Sequence, residues 1–228
     1  MEAIILAGGF GTRLQSIVTG VPKPMAPIRN VPFLTYIFEY LCNYGITKVV
    51  LSTGYMHEII RNHYGSSYKD LTISYSNETK PLGTGGAIKQ ALEMIEGENS
   101  LILNGDSFFR IDLNGIIERH IDMAADVTIA VKAMYNFDRY GVISLEKNRV
   151  VDFQEKKWTS NGYISGGLYI GKTSIFNGVT LPESFSFETD YLQKYVSSCT
   201  FMAYESKEYF IDIGIPDDYR RAQEELYL

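Results

Sequence analysis

Residues 3–27 read AIILAGGFGTRLQSIVTGVPKPMAP, and the fold turns on this stretch. An apolar, strand-like run ends in Gly8, Gly9 and Gly11. In an open α/β sheet, ligands bind beyond the carboxyl ends of the strands, where the chain turns into loop and helix. Glycines at such a turn have no Cβ, so their backbone N–H groups can approach an anion closely. Arg13 can fork onto phosphate oxygens, and Pro22 and Pro24 hold Lys23 in an extended segment that can return it to the same place. A simple strand-to-helix turn would need no convergence of three glycines with two cations.

Outward from the loop, apolar runs alternate with helical patterns, the signature of βα units feeding a parallel sheet. The run EAIILA is a strand. PFLTYIFEYLCNY follows with apolar residues 33, 34, 37, 38 and 41 on one helical face, and Gly45 suits its C-terminal cap. ITKVVLST, LTISYSN and NSLILNGD read as further strands, with helices over 55–64 and after GTGG. Strands this apolar are covered on both faces. The fold class expected is α/β, a three-layer, Rossmann-like, doubly wound mixed sheet. From about residue 126 the texture becomes β-rich, which reads as an inserted or appended mixed sheet. A helical stretch near 188–197, the strands TFMAYES and YFIDIGIP, and a helix from 216 complete the chain.

A chain of 228 residues, 45% hydrophobic, can bury a substantial core. Its formal charge of −6 argues against nucleic acid or an anionic membrane as partner, since either requires a positive face. The sequence has neither an apolar run of about 20 residues nor a signal-peptide pattern, so a cytoplasmic location is expected. Cys42 and Cys199 match no metal or redox spacing and are expected as reduced, buried thiols.

Three motifs fail on inspection. A dinucleotide fingerprint needs glycine three places after Gly11, where Leu14 stands. GGLYIGKT, from Gly166 to Thr173, satisfies the literal P-loop pattern, but its interior is an apolar β-like run rather than a backbone cradle. HEIIRNH has Arg61 where a zincin needs its second histidine and reads as a solvated helix face. No nucleophile-elbow serine is present, so the chemistry should run without a covalent intermediate.

Asp106 ends one apolar run on the ligand-binding edge, and Asp212 ends another far along the chain. Two carboxylates brought together would repel unless a hard cation such as Mg²⁺ bridges them to phosphate oxygens. The alternative is a helix-capping aspartate and a turn aspartate.

With LAGGFGTRL, PKPM, PLGTGGA, NGD, FQEK and FIDIG in this order and spacing, the chain resembles the sugar-1-phosphate nucleotidyltransferases over nearly its whole length. The resemblance implies the nucleotidyltransferase fold, similar to that of glycosyltransferases of the A type. It implies a single domain over 1–228, with residues 1–125 as the nucleotide-binding half and 126–228 as the sugar-phosphate-binding half. A nucleoside triphosphate and a sugar 1-phosphate would give a nucleotide sugar and pyrophosphate. By similarity, Arg13 steadies the pyrophosphate, Lys23 the α-phosphate and Lys156 the sugar phosphate, while Asp106 and Asp212 hold Mg²⁺. The nucleotide site so implied comprises Leu6, Ala7, Gly8, Gly9, Gly11, Thr12, Arg13, Lys23, Glu78, Pro81, Gly83, Thr84, Asn104, Gly105 and Asp106. Gly141, Glu155, Lys156, Gly167 and Glu188 would line the sugar pocket, though Glu188 could equally be a helix N-terminal residue. Two departures bear on the sugar contacts: Lys157 where many relatives have proline, and Ser165 where they have asparagine.

Base choice can be argued from chemistry. Guanine presents adjacent N1–H and N2–H₂ donors, which a carboxylate accepts with both oxygens, whereas uracil or thymine suits an amide. Glu78 stands where base readers lie in this family, so GTP is expected; the alternative is an exposed loop carboxylate. The short C-terminus and the first loop look most like the guanylyltransferases that act on a heptose 1-phosphate in surface-polysaccharide synthesis. Mannose 1-phosphate comes next as acceptor, then uridylyl or thymidylyl transfer. A non-catalytic nucleotide-sugar sensor is the reading from another class, and a homo-oligomer is left open.

Overall fold

A computed structural model describes residues 1–228 apart from Thr12 and Gln15. From the N-terminus come β1 (Glu2–Leu6), a small hairpin of β2 (Pro27–Ile28) and β3 (Val31–Pro32), α1 (Phe33–Asn43), β4 (Lys48–Thr53), α2 (His57–Tyr64), β5 (Ser67–Tyr68) and β6 (Leu71–Asn77). Next are α3 (Gly83–Leu92), β7 (Asn99–Asn104), β8 (Ser107–Phe109), α4 (Leu113–Asp122) and β9 (Val127–Phe137). The chain continues through β10 (Val142–Glu146), β11 (Arg149–Gln154) and β12 (Thr159–Lys172). A π-helical turn, Phe187–Leu192, runs into α5 (Gln193–Tyr195), and β13 (Phe201–Glu205), β14 (Phe210–Asp212) and α6 (Pro216–Glu225) follow.

Strand β1 lies between β4 and β7, parallel to both, and β6 continues the parallel set beyond β4. Its alternating side chains reach two separate cores: Ala3 and Ile5 join Val49, Leu51, Leu101 and Leu103 on one face, while Ile4 joins Val50 and Ile102 on the other. Helices α1, α2, α4 and α6 cover the first face; α3 and the π-helical turn cover the second. This accounts for the near-continuous apolar strands, since both faces are buried. The chain moves outward from β1 to β4 and β6, then returns to place β7 on β1's other side. The carboxyl ends of β1 and β7 therefore flank a topological switch point, where such sheets open a crevice.

The β-rich second half differs from the expected inserted or appended sheet. Strand β12 pairs antiparallel with β7 on one edge and β9 on the other, so one ten-stranded sheet runs β10-β11-β13-β9-β12-β7-β1-β4-β6-β5. The reason lies in the fully buried stretch of β12, where Ile164, Leu168, Tyr169 and Ile170 pack into the two cores. GGLYIGKT is part of this strand up to Lys172, consistent with its rejection as a phosphate loop. HEIIRNH lies in α2, with Ile60 and Tyr64 inward and Glu58, Arg61 and His63 exposed. Asp112 starts α4, a helix the sequence reading passed over, by accepting the Asn114 N–H at 3.1 Å. Cys42 and Cys199 are free but only half-buried, at the margins of the cores rather than inside them. Among the described residues, no helix is long and apolar enough to cross a membrane.

Candidate active site

At the switch point, a cavity of about 660 Å³ is walled by the first glycine loop, the end of β7 and the loop after β6. Of the residues expected at a nucleotide site, Leu6, Ala7, Gly8, Gly9, Gly11, Arg13, Lys23, Glu78, Pro81, Gly83, Thr84, Asn104 and Asp106 all line it. Gly105 does not: its N–H donates to the Leu6 carbonyl at 2.8 Å and ties β7's end to β1's. Thr12 lies outside the described residues. At Gly8 the absence of a side chain matters, because a Cβ there would stand 2.5 Å from Glu78 Oε1. Glu78 is half-buried, and its Oε2 accepts the Leu82 N–H at 3.0 Å. The carboxylate is thereby oriented at the cavity wall rather than left as a free loop charge.

A second cavity, about 390 Å³, lies over the antiparallel strands, and Gly141, Glu155, Lys156, Gly167 and Glu188 all line it. Its floor is built by an irregularity in β12, where pairing with β9 shifts register between Ser165 and Tyr169. Such bulges re-aim the chain and recur beside functional sites. Gly167 takes φ +69° there, and a Cβ would come within 2.6 Å of Ser107 Oγ and 2.7 Å of Asn104 Nδ2. A glycine is needed on both counts. Ser165 Oγ, Tyr169 OH and Glu188 Oε1 form a hydrogen-bonded row, at 2.9 Å and 2.7 Å. Burial and the Glu188 charge push the Tyr169 phenol well up, so it stays a donor to Glu188. Glu188 is both a first-turn residue of the π-helix and a cavity residue.

The cavities share Arg13, Asn104, Asp106 and Asp212. At this junction Lys23 Nζ donates to Asp106 Oδ2 at 2.6 Å and stands 3.6 Å from Asp212 Oδ1. Neither aspartate caps a helix. Antiparallel pairing of β14 with β8 brings Asp212 opposite Ser107, next to Asp106. The Gly214 N–H at 2.7 Å orients Asp212 Oδ1, and Tyr140 OH approaches Oδ2 at 3.5 Å. Burial, then the Asp106 charge, raise the Asp212 carboxyl above its ordinary range, and Lys23 offsets only part of this. Two crowded carboxylates with one lysine between them are a donor set for a hard divalent ion. Among the described residues, no three His, Cys, Asp or Glu side chains form a metal-holding group.

Sequence reading missed Tyr140, Ser107 and Arg139, which also line the second cavity. Arg139 is anchored by the buried Asp218 at 2.6 Å and lies over the Tyr140 ring. The only available signal was position, since Arg139 and Tyr140 directly precede Gly141.

Comparison with known proteins gives the family. The Nucleotidyl transferase family model matches residues 2–227. The chain is 53% identical, over 99% of its length and 98% of the relative's, to a D-glycero-alpha-D-manno-heptose 1-phosphate guanylyltransferase of Aneurinibacillus thermoaerophilus. It is 44% identical to the enzyme of the same name from Campylobacter jejuni, covering 96% of this chain and 97% of that one. The crystal structure of HddC from Yersinia pseudotuberculosis complexed with GMP-PN superposes with a TM-score of 0.87 at 36% identity, covering 98% of both chains. Matched by the family model along almost its whole length, the chain belongs to the nucleotidyl transferase family.

Proposed function

We propose that the protein transfers the guanylyl group of GTP to D-glycero-α-D-manno-heptose 1-phosphate, giving the GDP-sugar and pyrophosphate. One observation carries the reading: a cavity with a carboxylate at its wall and a cavity lined by Lys156 and Glu188 meet at Arg13, Asn104, Asp106 and Asp212. A nucleotide in the first and a sugar phosphate in the second would have their phosphates adjacent at that junction. High identity to two guanylyltransferases of this specificity supports the choice of both substrates.

A phosphate oxygen of the sugar 1-phosphate attacks the α-phosphorus, the bond to the β-phosphate breaks, and pyrophosphate leaves. Both substrates are already strongly anionic, so positioning and charge stabilisation account for catalysis. Glu78 accepts the N1–H and N2–H₂ of guanine. Arg13 neutralises the departing pyrophosphate, Lys23 the α-phosphate and Lys156 the incoming phosphate. Glu188, held by Tyr169, accepts from acceptor hydroxyls, with Gly141 and Glu155 beside it. Asp106 and Asp212 would hold Mg²⁺, which when bound neutralises developing phosphate charge. In this scheme residues 1–125 take the nucleotide and 126–228 the acceptor, with Asp212 crossing to the junction. Use of GTP fits a cytoplasmic setting.

Pyrophosphate release, measured for four nucleoside triphosphates against heptose, mannose and glucose 1-phosphates, tests the proposal. GTP with the heptose phosphate should give the highest kcat/KM. Preference for another base would refute the role of Glu78, and no turnover with any pair would favour a sensor.

A further inference from the structure

Thr84 belongs by sequence to the PLGTGG loop and lines the nucleotide cavity. Its Oγ1, however, accepts the backbone N–H of Phe187 at 2.9 Å, the residue immediately before Glu188. The first N–H groups of a helix have no partner within it and must find one elsewhere. Thr84 supplies one across a sequence separation of 103 residues.

The contact sits at the end of a continuous seam. Lys80 Nζ pairs with Glu183 at 2.7 Å, Phe185 N–H donates to Leu82 O at 2.9 Å, and Gly85 N–H donates to Phe185 O at 2.9 Å. A Cβ on Gly85 would stand 2.1 Å from the Phe185 ring, so the two segments are packed as closely as their chemistry allows. Beyond the seam, Ser186 Oγ accepts the Thr189 N–H at 3.2 Å and Asp190 Oδ2 the Ser186 N–H at 2.8 Å. The turn carrying Glu188 is thus fixed from both sides, and Thr84 is its link to the loop that carries the nucleotide cavity.

We propose that Thr84 is a positioning residue for the acceptor: through Phe187 it sets the turn that presents Glu188 to the sugar. The inference rests on Glu188 contacting the acceptor, as proposed above. It also couples the two cavities. The Thr84 hydroxyl accepts from Phe187 and keeps a proton with which it can donate into the nucleotide cavity, and a hydroxyl that donates becomes a better acceptor. A nucleotide on this loop would therefore tighten the hold on Phe187.

Thr84→Val keeps the side-chain volume and removes the acceptor, leaving the Phe187 N–H unpaired. The KM for heptose 1-phosphate should rise roughly 5-fold to 30-fold, and by more than the KM for GTP, which loses only the hydroxyl's donation. Thr84→Ser should restore the acceptor KM, which loss of packing alone would not allow. Thermal melts check folding; if Thr84→Val is poorly folded, Thr84→Ala carries the same expectation. A rise confined to the GTP KM would overturn the inference. Glu188→Gln, measured alongside, separates the two claims. If it raises the acceptor KM and Thr84→Val does not, the inference falls and the role of Glu188 stands. If Glu188→Gln leaves the acceptor KM unchanged, both fall.

Discussion

The two cavities are built by different means. The cavity at the switch point uses backbone: a glycine loop at the end of β1, a glycine turn into α3, and one carboxylate, Glu78, oriented by the Leu82 N–H. The second cavity uses side chains on antiparallel strands, a bulge at Gly167 and a row of Ser165, Tyr169 and Glu188. Backbone recognition suits phosphates common to every triphosphate, whereas side-chain recognition suits the part of the reaction that differs from one acceptor to another. Under the proposed function, the switch point of the parallel strands takes the shared phosphates and, through Glu78, the base, while the antiparallel extension takes the acceptor.

The largest effects are expected where the two sides meet. Asp106→Asn and Asp212→Asn should each lower kcat by about 100-fold to 1000-fold, the usual loss of one preorganised charge contact, with little change in either KM. Near-normal turnover at saturating Mg²⁺ would remove that residue from the metal site. Asp212 should also register in stability. Its carboxyl titrates above the ordinary range when folded, so the folded state holds the proton longer than the unfolded chain. Stability is then lost as pH rises from the ordinary carboxylate range through this raised value. Without ligands, Asp212→Asn should melt higher than the parent at neutral pH, with the gain shrinking in acid.

Smaller effects should sort by side. Glu78→Gln retains an acceptor for Leu82 but turns an NH₂ or a weaker acceptor toward guanine. The kcat/KM for GTP should fall roughly 10-fold to 100-fold, with relative use of UTP or dTTP rising and the acceptor KM unmoved. Lys156→Ala should act in the opposite sense. Lys156 is exposed, so the acceptor KM should rise only about 3-fold to 30-fold while the GTP KM holds. Exchanged outcomes for the two variants would show that the division into halves is drawn in the wrong place.

The same difference explains what was legible in the sequence. Gly8, Gly9 and Gly11 follow β1 directly and Asp106 follows β7, so their roles can be read from a strand and the residues after it. Gly141, Glu155, Lys156, Gly167 and Glu188 come together only because β12 pairs with both β7 and β9. No local spacing announces that pairing; the family resemblance, not periodicity, placed these residues. The fusion of the β-rich half into one sheet escaped for the same reason, since strand order is a long-range property. Thr84 is the mixed case: its place in the nucleotide loop was legible, and its bond to Phe187 was not.

The smallest effect tests the junction of the halves away from the substrates. His120 on α4 donates or accepts on both sides of β12: Nδ1 is 2.9 Å from Thr128 Oγ1 on β9, and Nε2 is 3.0 Å from Asn99 Oδ1 on β7. The ring is only 2% exposed. Burial, followed by the nearby Lys172 cation, pushes its pKa down to about 4 from an ordinary 6.5. As a neutral ring it can donate from Nε2 to Asn99 and accept at Nδ1 from Thr128, satisfying both partners. An added proton would have to sit on Nδ1, buried against the Thr128 hydroxyl, where the Asp126 carboxylate offsets only part of the cost. The unfolded chain takes up that proton first, near pH 6.5, so stability is intact above that pH and is lost as pH falls toward 4. The slope from this one group approaches about 1.4 kcal/mol per pH unit. Urea unfolding of the parent and His120→Gln at pH 7, 6 and 5 would isolate it. The glutamine variant can be less stable throughout, but its loss between pH 6 and 5 should be smaller than the parent's by most of that slope. Parallel pH curves would mean that His120 titrates normally and that the seam between β7 and β9 does not depend on its neutrality.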